Sequence, residues 1–180
     1  MNNSIGMRDA FVAALDHRFK HEIGGYFTMD KSVRFYKTSE SCFAPGNTRM
    51  SIKFPPNKTL YWHTHPPNAG WWPSVEDLLR NDKTHVLFTK FGTWIWYASE
   101  SFVAPESVYA IWNGFHKYME LITQSYWTPE RIMDKIKVFE RNVKKCCKKE
   151  ITFVPLFYYQ SENDIQNHVE IVKKMLIQGI

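Results

Sequence analysis

The spacing of apolar residues sets the first expectations. Between Ser4 and Lys20, Met7, Phe11, Ala14, Leu15 and Phe19 recur at steps of three and four, the period of one helical face. Gly24-Gly25 is expected to end that helix. The pattern then shortens. Tyr26-Phe27-Thr28, Ser32 to Lys37, Met50 to Phe54 and Leu60-Tyr61-Trp62 read as short strands separated by Pro, Gly and Asn. Ser74 follows Pro73 and has an acid three residues on, which marks a helix start at Val75. His85 to Phe91 and Thr93 to Tyr97 are β-rich runs joined near Gly92, as in a hairpin.

After Pro105 the period becomes helical. Val108, Ile111, Trp112, Phe115, Met119 and Ile122 make one stripe, and Ile132, Ile136, Phe139 and Val143 make another after Pro129. Ile151 to Tyr159 is β-prone, with Pro155 suggesting an edge strand. Ser161 and Asp164 cap a last helix carrying Ile165, Val169, Val172 and Leu176. The expected fold is α/β, a mainly antiparallel sheet flanked by helices, with additional helices towards the C-terminus. A length of 180 residues suits one domain spanning 1–180, its chemistry in about the first 100 residues and its extra helices and edge strand in 105–180.

Composition narrows the class. With 44% hydrophobic and 23% charged residues the chain can bury a core, so disorder is excluded. No apolar run reaches the roughly 20 residues that span a bilayer, so no membrane association is expected. Met1 to Phe11 lacks the layout of a signal peptide, and an intracellular, cytoplasmic protein is expected. Of the three cysteines, Cys42, Cys146 and Cys147, the last two are adjacent, which suits a reducing compartment rather than a disulfide framework. Much of the +5 net charge gathers in Lys144, Lys145, Lys148 and Lys149, a run expected to be a solvated helix end rather than a nucleic-acid patch. Trp71 and Trp72 fall in a loop, where burial is less assured than for the other tryptophans.

The candidate chemistry lies in the middle of the chain. His63-Thr64-His65-Pro66 follows an apolar strand, and a period of two puts both imidazoles on the same side, able to meet one ion. Thr64 then belongs to the strand's other face. Downstream, Ser74-Val75-Glu76-Asp77 places a carboxylate on the first turn of a helix. It can close the third corner of a tetrahedral zinc site and leave the fourth to water, the arrangement of a catalytic centre. His21-Glu22 is not a zincin helix, because Gly25 stands where the second histidine belongs. The adjacent cysteines do not fit a zinc deaminase, which needs a Cys-x-x-Cys pair.

With Glu22-Ile23-Gly24-Gly25 upstream, these segments resemble the signature of the JAB1/MPN/Mov34 (JAMM) zinc metalloproteases: a glutamate, then His-Ser/Thr-His-Pro, then Ser-x-x-Asp. The likeness covers roughly Glu22 to Tyr97. It implies a JAB/MPN-type domain with a cytidine-deaminase-like layout, and a zinc ion held by His63, His65 and Asp77. By the same resemblance Glu22 is the general base and Ser74 the hydrogen-bond donor to the tetrahedral oxyanion. The spacing departs from the family's by one: eleven residues, Pro66 to Glu76, separate the second histidine from Asp77, where ten is usual. Asp77 keeps Ser-x-x-Asp; Glu76 remains the alternative ligand. Glu40, in Ser39-Glu40-Ser41-Cys42, does not match the Glu-x-x-Gly pattern of the base. The implied activity is hydrolysis of a peptide or isopeptide bond, with a protein or peptide substrate, ubiquitin or a ubiquitin-like protein among them. The competing expectation is a non-catalytic scaffold, since many members of the family have lost the metal; here the ligand set and the base are intact.

Overall fold

The computed structural model describes residues 4–16, 21–30, 32–42, 60–67, 69–80, 84–98 and 104–179. Among them run strands β1 (Ser4–Ile5), β2 (His21–Met29), β3 (Val33–Cys42), β4 (Leu60–Thr64), β5 (Thr84–Thr89), β6 (Gly92–Ala98) and β7 (Lys149–Pro155). They form one sheet in the order β1-β3-β2-β4-β5-β6-β7. Neighbours are antiparallel except β4 and β5, which run parallel. The helices are α1 (Met7–Leu15), α2 (Val75–Leu79), α3 (Pro105–Thr123), α4 (Pro129–Cys147) and α5 (Glu162–Gln178). The protein is therefore α/β with a mainly antiparallel sheet, and β7 is the edge strand that Pro155 suggested. Among the described residues no helix is long and apolar enough to cross a membrane.

Alternation along the central strands divides the core in two. Val86, Phe88 and Ile95 join Phe27, Phe35 and Trp62 beneath α1 and α5. Leu87, Trp94 and Trp96 point the other way and meet α2, α3 and α4 together with Ile151 and Phe153. Both faces are covered, so β5 and β6 read as continuous apolar runs rather than half-polar ones. The stripes foreseen on α4 and α5 are buried as expected, from Ile132 to Val143 and from Ile165 to Leu176.

Three local expectations change. Helix α1 ends at Leu15, and Ser4 and Ile5 before it pair with Tyr36 and Phe35 as a strand. Gly24-Gly25 terminates nothing: both glycines lie inside β2, where the register against β3 shifts between them. A Cβ on Gly25 would stand 1.8 Å from the Tyr36 carbonyl oxygen, so this glycine marks a close approach of two backbones. In the lysine run, Lys144, Lys145 and Lys148 are exposed, but Lys149 is buried. Lys148 adopts a left-handed conformation (φ 54°) that turns the chain from α4 into β7. The turn carries Lys149 beneath α2, where its Nζ donates to the carbonyl oxygens of Leu78 and Arg80. Met50 to Phe54 lie outside the described residues.

Candidate metal centre

Strand β4 and the residue that follows it bring two candidate donors to one face. Trp62 packs into the core under α1 and α5, so His63 points to the opposite side, and His65 follows it two residues on. Their Nε2 atoms are 3.3 Å apart, and both side chains are buried. Thr64, between them, turns away, and its hydroxyl accepts the Ile23 N–H at 3.1 Å.

Helix α2 delivers the third. Ser74 and Asp77 form a capping box: Ser74 Oγ accepts the Asp77 N–H (3.1 Å), and Asp77 Oδ2 accepts the Ser74 N–H (2.9 Å). The box fixes the carboxylate over the histidines, with Oδ1 3.5 Å from His63 Nε2 and Oδ2 3.8 Å from His65 Nε2. One donor atom from each of His63, His65 and Asp77 lies within 4.8 Å of the others, a set that could hold a metal ion. Bonds of about 2.0–2.1 Å to a tetrahedral zinc put neighbouring donors roughly 3.3–3.4 Å apart; the two imidazole nitrogens stand at that separation, and Asp77 Oδ1 is close to it from His63. Glu76, the alternative ligand, is exposed.

The β2–β4 register brings in Glu22. Gly24 pairs with His63 across these antiparallel strands, so two residues further along each strand Glu22 comes beside His65. Its Oε1 lies 3.8 Å from His65 Nε2. Glu22 stands at the rim of the donor set without belonging to it. Glu40 pairs with Ile23 on β3, and its side chain lies outside the described ones.

The chain leading into α2 is pinned from Gly70 to Pro73. His65 Nδ1 meets the Gly70 carbonyl at 2.7 Å, the Trp94 indole donates to Trp71 O at 2.9 Å, and the Trp112 indole donates to Pro73 O at 2.8 Å. The Trp72 indole donates to His116 Nδ1 at 3.1 Å, and His116 stacks on Trp112 with ring centroids 4.2 Å apart. Trp71 and Trp72 are both buried by these contacts.

The electrostatics favour positive charge at the centre. Burial alone would push the Asp77 carboxyl up, but attraction to His63 with its hydrogen bond, then to His65 and His85, holds it well below the ordinary value. Burial likewise disfavours a charged His63, and Asp77, with Glu22 behind it, overrides this and raises its pKa. His65 falls to about 4 through burial and the neighbouring His63. Burial raises Glu22, with Asp77 adding to it against the pull of His63. Beside Asp77 the charged form of His63 is thus favoured, and a cation that binds there competes with protonation of His63.

Every site residue expected from the sequence except Glu76 converges on this centre. Residues not expected also take part: His85 behind His63, Trp112 and His116 from α3, and Lys149 under α2. Only His85 left a local sign, a histidine near the start of an otherwise apolar strand. Comparison of the chain with protein-family models, with curated proteins and with solved structures gives no match. The likeness to the JAMM signature therefore rests on the motif residues alone.

Proposed function

We propose that this chain is a zinc-dependent metallopeptidase of the JAMM type, hydrolysing a peptide or isopeptide bond, with ubiquitin or a ubiquitin-like protein the leading substrate class. The observation that carries this reading is that His63, His65 and Asp77 each bring a donor atom within 4.8 Å of the others, with the two imidazole nitrogens 3.3 Å apart and a non-ligand carboxylate, Glu22, at their rim. Two neutral imidazoles and one carboxylate form a donor set suited to zinc, and zinc bound there would acidify a water and polarise the scissile carbonyl. Glu22, its pKa raised by burial, is suited to take a proton from the attacking water and pass it to the departing amine. Ser74 accepts the Asp77 N–H through an oxygen lone pair, which leaves its hydroxyl hydrogen to donate to the carbonyl oxygen as charge develops there.

X-ray fluorescence of the purified protein tests the metal: about one zinc per chain is expected, and none after joint His63→Ala and His65→Ala substitution. Chelator-sensitive cleavage within a panel of ubiquitin chains, ubiquitin-like fusions and linear peptides tests the activity. Full zinc in the double variant would overturn the ligand set. Zinc without cleavage of any panel member would leave the scaffold reading in its place.

A further inference from the structure

Behind the donor set lies a histidine that the proposed chemistry does not use. His85 is the second residue of β5, beside β4, with Tyr61 as its register partner and Leu87 that of His63. It is buried, stacked on Trp96 with centroids 4.2 Å apart and planes 13° apart, and edged by the Tyr61 ring at 3.6 Å. Its Nε2 faces His63 Nδ1 within hydrogen-bond distance. It is outside the set of mutually close donors, so it is not a fourth ligand.

Proton counting fixes the direction of this contact. A neutral imidazole has one N–H and one lone pair. His63 Nε2 faces His65 and Asp77, and holding an ion there requires its lone pair. The His63 proton then sits on Nδ1, which can only donate, so His85 Nε2 must accept. The His85 proton is left on Nδ1, which is buried without a hydrogen-bond partner among the described residues. Histidine at this place carries a cost that an apolar ring would not, which argues that its acceptor nitrogen is needed. The other ligand is held differently. His65 Nδ1 meets the Gly70 carbonyl, which can only accept, so the backbone sets the tautomer of His65, while among the described residues His63 Nδ1 meets another imidazole, that of His85.

We propose that His85 is a positioning residue for the metal centre: its Nε2 accepts the His63 Nδ1 proton, keeping His63 Nε2 unprotonated and aimed at the ion. This rests on the zinc reading above. Partners of this kind typically account for about 10–100-fold in metal affinity.

Two measurements test it. In long-range 15N–1H correlation spectra of the unmutated, zinc-loaded protein, both His63 and His85 should carry their proton on Nδ1; a proton on Nε2 of His85 would overturn the proposal, whatever happens to any variant. In competition against a chromophoric chelator, His85→Phe should bind zinc about 10–100-fold more weakly while the metal-free protein melts no lower than the unmutated one. His85→Gln, whose side-chain carbonyl can accept the same proton, should recover most of that loss. Affinity within twofold of normal in His85→Phe, or a loss that His85→Gln does not recover, counts against it. His63→Ala separates the two readings. If the unmutated protein binds zinc and His63→Ala does not, an unaffected His85→Phe removes the role of His85 alone; if the unmutated protein binds no zinc, the metal reading fails and takes this one with it.

Discussion

Asp77 uses its two oxygens for two purposes, and two substitutions can separate them. Oδ2 accepts the Ser74 N–H at 2.9 Å as part of the cap, and Oδ1 stands 3.5 Å from His63 Nε2, where it would bind the proposed ion. Asparagine keeps a carbonyl oxygen for the cap but loses the charge; alanine loses both. The two variants lose the same attraction to His63, so their difference isolates the cap. A lost cap costs about 1 kcal/mol, which for a chain of this size lowers Tm by roughly 2–4 °C. Metal-free Asp77→Asn should therefore melt about that far above metal-free Asp77→Ala. Zinc at 100 times its Kd stabilises the form that binds it by about 2.7 kcal/mol, a rise of roughly 5–11 °C. Differential scanning fluorimetry should show that rise in the unmutated protein and in Glu76→Ala, whose side chain is exposed, and in neither Asp77 variant. A full zinc-dependent rise in Asp77→Asn would refute Asp77 as a ligand. Its loss in Glu76→Ala would transfer the assignment to Glu76.

Glu22→Gln should retain zinc and lower peptide-bond hydrolysis by about 10²–10⁴-fold, measured as kcat/KM on any substrate the unmutated protein cleaves. Burial raises Glu22 in the folded state, so its ionised form opposes folding above that raised pKa, and the opposition disappears below the ordinary carboxylate range. Urea titrations of the metal-free protein should accordingly find Glu22→Gln more stable than the unmutated chain at neutral pH and equal to it near pH 4. Gly25→Ala should cost at least about 1–3 kcal/mol in the same titrations, because a Cβ cannot share the space of the Tyr36 carbonyl oxygen. On the other face of the sheet, His168 meets Thr93 Oγ1 at 2.8 Å and stacks on Phe11, and burial lowers its pKa to about 4. Its neutral form thus supports folding above the unfolded value near 6.5, and the support is lost as the pH falls towards 4, a difference approaching about 3 kcal/mol that His168→Leu should abolish.

What the sequence reveals about the centre follows the range of the interactions that build it. The two histidines are legible because a strand's period is local, and Ser74 with Asp77 because a cap needs only three residues. Glu22 could be assigned only by resemblance, since its position depends on how β2 registers against β4, some forty residues later. Gly24-Gly25 was misread for the same reason: the rule that glycines end helices is local, whereas the backbone that Gly25 approaches belongs to β3. Lys149 followed a run of solvated lysines, and only the left-handed turn at Lys148 separates it from them. The stripes of α4 and α5 were legible, but which helices would brace the chain before Ser74 was not, because Trp112 reaches Pro73 across 39 positions.

The parallel alignment of β4 and β5 has its own consequence for how this protein can vary. Two neighbouring strands that run the same way cannot be joined by a tight hairpin; the chain must travel back across the sheet before it can start the second strand. That return path departs from the carboxyl end of β4, where His65 stands, and it carries α2 with Asp77. The third donor is thus brought to the first two by a detour that the strand order makes unavoidable, at the carboxyl end of the parallel pair. Lengthening or shortening the chain between Pro66 and Gly70 would then change only the slack of a tether whose far end, Gly70 to Pro73, is held by His65, Trp94 and Trp112.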